Sequence, residues 1–160
     1  MQKEHEMTSR SEKARQYFLD GYNCSQAVLL AFCDDGDLDK ELLLKAVSPF
    51  GGGMGRLREV CGAVSGMFMA AGLIYGYADP KAKIEKADLY KKIQDLAATS
   101  KAQNGSIICR ELLGLSEKTS SPVPEERTPD YYKKRPCAEL VARAAGILEE
   151  MIEQEKTAGK

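Results

Sequence analysis

Five cysteines, Cys24, Cys33, Cys61, Cys109 and Cys137, are the residues of this 160-residue chain whose type could do chemistry beyond packing. A thiolate is a nucleophile, a metal ligand and one half of a disulfide. No two of them stand in a Cys-x-x-Cys spacing, so the chain carries no local dithiol turn, zinc knuckle or ferredoxin run. Any joint site has to form by folding. The single histidine, His5, removes metal sites that need two imidazoles and argues against Ser-His-Asp or Cys-His machinery. Met54, Met67 and Met69 would suit a soft metal, but a methionine in an apolar helix is core filler first. The run Gly51-Gly52-Gly53-Met54-Gly55 lacks the Lys-Ser/Thr of a phosphate-binding loop and reads as a tight connection between helices.

The elements that must position these thiols are all helical. Ser9 or Ser11 caps a first helix with Ala14, Tyr17 and Phe18 on one face, and Gly21 stops it. Asn23 caps a second through Phe32, with Cys24 in its first turn; Asp37 or Asp39 opens a third that closes at Pro49 and the glycine run. Val60 to Ala78 carries no charge, but its Gly and Ala content makes it a buried central helix rather than a membrane span. Its Gly62, Gly66 and Ala70 form a smooth stripe for close backbone approach. Asp79-Pro80 is expected to start a polar helix that Asn104-Gly105 ends, and Ser106 to Leu113 a short one holding Cys109. Pro136 then opens a C-terminal helix with Cys137 in its first turn and an apolar stripe from Leu140 to Ile152.

No alternating strand pattern and no repeat is present, so the fold expected is all-α: a single-domain multi-helix bundle around the buried Gly/Ala-rich helix. The boundaries expected are a tail over 1–8, the helical domain over 9–155 with a long loop at 116–135, and a tail over 156–160. Tyr131-Tyr132 would dock that loop, and Lys133-Lys134-Arg135 reads as solvated surface. With 23 Lys+Arg against 24 Asp+Glu there is no basic field to recruit nucleic acid or an anionic membrane. A polar N-terminus without a secretory pattern points to the cytoplasm, where cysteines stay reduced unless they are catalytic, redox-sensing or metal-bound.

Cys24, Cys61 and Cys137 all fall at helix starts, where unpaired N–H groups and the helix dipole favour a thiolate. Arg56 and Arg58 before Cys61, and Arg110 after Cys109, could lower the thiols further if they point the right way. Cys33, at the end of a helix face with no cation beside it, reads as core.

The order Asn23-Cys24-Ser25-Gln26-Ala27, Gly51-Gly52-Gly53-Met54-Gly55, Cys61-Gly62-Ala63-Val64-Ser65-Gly66, Cys109 and Cys137 resembles the C_GCAxxG_C_C family of redox-active proteins, with Cys-Gly-Ala standing where the label has Gly-Cys-Ala. The resemblance covers most of the chain. It implies a small helical protein whose functional cysteines correspond to Cys24, Cys61, Cys109 and Cys137, with an unidentified redox partner; Cys33 has no counterpart.

Three readings follow. In the first, an oxidoreductase of the thiol/disulfide kind, Cys61 attacks and Cys24 or Cys137 resolves the mixed disulfide. In the second, Cys24, Cys61, Cys109 and Cys137 together ligate an iron–sulfur cluster or a metal ion for electron transfer. In the third the protein is a structural helical domain without redox chemistry. The Gly/Ala stripe and apolar helix faces are also consistent with a homodimer.

Overall fold

A computed structural model describes residues 9–34, 36–116 and 119–158. His5 with the expected tail over 1–8, and the last two residues of the expected C-terminal tail, lie outside these. Among the described residues the regular structure is helical, apart from a single antiparallel bridge between Val60 and Ile108. The helices are α1 (Ser9–Leu19), α2 (Cys24–Cys33), α3 (Lys40–Val47), α4 (Gly51–Met54), α5 (Gly62–Tyr75), α6 (Lys83–Asn104), α7 (Cys109–Leu112), α8 (Pro129–Lys134) and α9 (Cys137–Thr157). A 3-10 turn, Ser48–Phe50, links α3 to α4.

The core lies where α1, α2, α5 and α9 pack together, and α2 is its most enclosed member, with Ala27 through Ala31 all buried. Asn23 fixes where α2 begins. Its side chain accepts from the Gln26 N–H at 2.9 Å and the Gln26 side chain accepts from the Asn23 N–H at 3.2 Å, a reciprocal cap that satisfies two orphan donors. The small-residue stripe of α5 faces this helix start. A Cβ added at Gly66 would stand 2.4 Å from the Ser25 carbonyl oxygen, so only glycine lets the two backbones approach this closely. Burial of α5 ends near Ala71: Leu73 and Ile74 are 42% and 44% exposed. No helix among the described residues is long and apolar enough to cross a membrane.

Several boundaries differ from the sequence reading. Ser11 lies inside α1, not at its cap, and α6 begins at Lys83 because Asp79 is used otherwise: its carboxylate accepts from the Lys81 N–H at 2.9 Å and its carbonyl from the Ala82 N–H at 3.0 Å, closing a turn. The helix expected from Ser106 begins only at Cys109, because Ile107 to Cys109 pair with Glu59 to Cys61. The Cys61 N–H donates to the Ile107 carbonyl at 2.8 Å and the Cys109 N–H to the Glu59 carbonyl at 2.6 Å. Within 116–135, Thr128 caps α8, and Tyr131 and Tyr132 pack on the core, Tyr132 edge-on to Phe18.

Candidate thiol site

Four cysteines reach one cavity from four different places in the chain. Cys24 is the first residue of α2, Cys61 caps α5, Cys109 opens α7 and Cys137 opens α9, and all four line a cavity of about 280 Å³. Cys33 does not line it; it is buried in the core at the far end of α2. No disulfide joins any of the five. Among the described residues no three His, Cys, Asp or Glu side chains stand grouped so as to hold a metal ion.

The glycines explain how the sulfurs come together. A Cβ at Gly62 would lie 2.3 Å from the Cys24 sulfur, and one at Gly53 would lie 2.6 Å from Cys109 Cβ. The glycine run does more than connect helices: Gly52, Gly53, Met54, Gly55 and Arg56 all have φ between 63° and 72°. This left-handed turn costs the two residues with side chains roughly 1–2 kcal/mol each. It brings the Gly52 N–H to the Cys24 sulfur and leads the chain to Arg58, itself left-handed at φ 61°.

Burial decides the electrostatics. It pushes the Cys24 and Cys61 thiols up and the Cys137 thiol up to about 12, each helped by neighbouring sulfurs of the set. The helix-start effect expected from sequence is present, since the Ala63 and Val64 N–H groups face Cys61 and oppose the rise, but desolvation outweighs it. The thiolate-favouring reading of Cys24, Cys61 and Cys137 is therefore reversed in sign.

Of the three arginines singled out beforehand, Arg58 points at a sulfur. It is 4% exposed, donates from Nη1 to Cys109 Sγ at 3.6 Å and from Nε to Ser120 Oγ at 2.8 Å. Arg110 instead pairs with Glu59 at 3.2 Å, and Arg56 donates to the Ser121 carbonyl. Sequence reasoning missed one wall of the cavity. The segment 119–128 lines it with Pro122, Pro124 and Glu125, and Arg127 ties the segment down by donating to the Phe18 and Tyr22 carbonyls while stacking on the Phe18 ring. Arg135 pairs with Glu125, and the Tyr131 hydroxyl, pushed up to about 12 by burial, lines the same space. Nothing local in the sequence marks these contacts, which join residues distant along the chain.

A family model described as "Putative redox-active protein (C_GCAxxG_C_C)" matches residues 22–151. Comparison with curated proteins and with solved structures returns no match.

Proposed function

The chain belongs to the C_GCAxxG_C_C family, and we propose that it is an oxidoreductase working by thiol–disulfide exchange at the four-cysteine cavity. The observation that carries this reading is the convergence of Cys24, Cys61, Cys109 and Cys137 on one cavity. Cys109 takes the attacking role assigned above to Cys61. The Arg58 guanidinium donates to its sulfur, and no arginine is among the groups that act on the Cys61 thiol. Cys109 attacks one sulfur of a disulfide substrate, and the other leaves as a thiolate that takes up a proton. Cys24, whose sulfur neighbours the other three, then attacks Cys109 Sγ in the mixed disulfide. The second substrate thiol departs, and two electrons have passed from the Cys24 and Cys109 thiols to the substrate. Cys61 and Cys137 complete the thiol set, and a cytoplasmic setting would keep it reduced between turnovers.

The test is to treat reduced protein with a small disulfide, count thiols and map the bond by mass spectrometry. Loss of two of five thiols with a Cys24–Cys109 bond, abolished by Cys109→Ser and unchanged by Cys33→Ser, is expected. Oxidation that spares Cys109 would overturn the assignment of the nucleophile. Stoichiometric iron or zinc held by Cys24, Cys61, Cys109 and Cys137 would replace exchange with the metal or cluster reading. Neither metal nor reversible thiol loss would leave a structural domain.

A further inference from the structure

The cavity's charge says what kind of molecule it takes. Among the described residues four arginines, Arg56, Arg58, Arg127 and Arg135, line it against one carboxylate, Glu125, in a chain whose formal net charge is −1. The excess is local to this space. Among the described residues only Arg135 of the four meets a carboxylate; Arg58 donates to the Ser120 hydroxyl and the Cys109 sulfur, Arg127 to the Phe18 and Tyr22 carbonyls, and Arg56 to the Ser121 carbonyl. Neutral acceptors satisfy a guanidinium's geometry and leave its charge, and charge in a partly desolvated cavity acts more strongly than at the surface. A ligand bearing negative charge meets that need, and planar guanidinium groups match carboxylates best by two-point contact.

Size restricts the ligand further. At about 280 Å³ the cavity is below the range of roughly 300–1,000 Å³ that holds drug-sized ligands. Cys61 and Cys109 are only 6% and 7% exposed beneath it, so a disulfide on a folded protein does not reach them. We infer that the substrate is a small anionic disulfide, with carboxylates flanking its S–S bond, drawn in and oriented by Arg56, Arg58 and Arg127. The inference rests on the exchange reading for its sulfur chemistry; the preference for an anion stands on the arginines alone. In the exchange the carboxylates take no part, and the substrate leaves as two carboxylate-bearing thiols while two protein thiols become a disulfide.

Binding and exchange are therefore tested apart. Reduced full-length protein is titrated calorimetrically with thiodipropionate, a dianion whose thioether cannot exchange, with the neutral bis(hydroxyethyl) sulfide, and with the cationic bis(aminoethyl) sulfide. The dianion is expected to bind about tenfold tighter or more than either, weakening with added salt and in Arg127→Gln. Arg56→Gln, further from the core, repeats the test if Arg127→Gln fails to fold, and Lys91→Gln on the exposed face of α6 should leave binding unchanged. Equal binding of the three sulfides, or none by the dianion, overturns the inference. Dithiodipropionate that binds as well as the thioether but removes no thiols would leave the anion site standing and sink the exchange reading instead.

Discussion

Replacing Gly62 by alanine should separate the packing of the sulfurs from the general stability of α5. The added Cβ would stand 2.3 Å from Cys24 Sγ, 2.9 Å from the Phe50 carbonyl oxygen and 3.3 Å from Gly51 Cα. Non-bonded carbon contacts are comfortable only at about 3.5–4.0 Å, so the sulfur must move by more than an ångström against two backbone neighbours. Overpacking of this kind costs about 1–3 kcal/mol, and the three close contacts put Gly62→Ala at the upper end. Alanine returns roughly 0.5–1 kcal/mol through helix propensity. The net loss is about 2 kcal/mol, which for a chain of this size lowers Tm by roughly 4–8 °C. Gly72 lies in the same helix with nothing within 4 Å of its Cβ position, so Gly72→Ala should gain about 0.5–1 kcal/mol. Calorimetric or fluorescence melts of the reduced proteins read both changes. The displaced Cys24 should also be alkylated faster than in the parent chain. A Gly62→Ala protein that melts with or above Gly72→Ala, its Cys24 reacting at the parent rate, would refute the close sulfur–glycine packing on which the site's geometry rests.

Asn23→Ala removes the side-chain half of the α2 cap, leaving the Gln26 side chain on the backbone N–H of residue 23, together with the contact from Asn23 to the Ser48 carbonyl, and should cost about 1–2 kcal/mol in a urea titration; a loss below about 0.3 kcal/mol would contradict it. Arg58→Gln gives up the bonds to Ser120 and Cys109, about 1.5–3 kcal/mol for a buried charged donor, and should expose segment 119–128 to trypsin cleavage at Arg127. Unchanged digestion would count against Arg58 as a second tether of that segment beside Arg127. Stability should fall in alkali. The Cys137 thiol is raised from 9.0 to about 12, so between these values the unfolded chain loses a proton that the folded chain keeps. The contribution is complete below pH 9 and declines by about 1.4 kcal/mol per pH unit above it. Urea midpoints from pH 8 to 10.5 should fall less steeply in Cys137→Ser, and parallel curves would show that burial of this thiol has no such effect.

Local signals carried most of the fold. Asn23, the stop at Asn104-Gly105 and the opening at Pro136 act through neighbouring backbone groups, so their residues place helix ends directly. The Gly62 and Gly66 stripe announced a close approach without saying to what; the structure supplies Cys24 and Ser25. Asp79 misled because its side chain serves a turn as readily as a cap, and Ser106 because one pair of hydrogen bonds to Glu59 to Cys61 outweighs a helical start. At the site, the order of the cysteines carried the family resemblance, while the sign of the thiol shifts could not be read, since burial comes from α2, α5, α9 and the segment 119–128 together. Arg127, in the segment 119–128, acts across more than one element and leaves no periodic or spaced pattern.

The most direct measurement of the central claim is made on protein purified without oxygen: metal and sulfide content, the visible spectrum, and the thiol count before and after mild oxidation by a small disulfide. Thiol–disulfide exchange requires a colourless, metal-free protein that loses two thiols reversibly and keeps them in Cys109→Ser. Stoichiometric iron with charge-transfer bands that vanish in Cys61→Ser would contradict it.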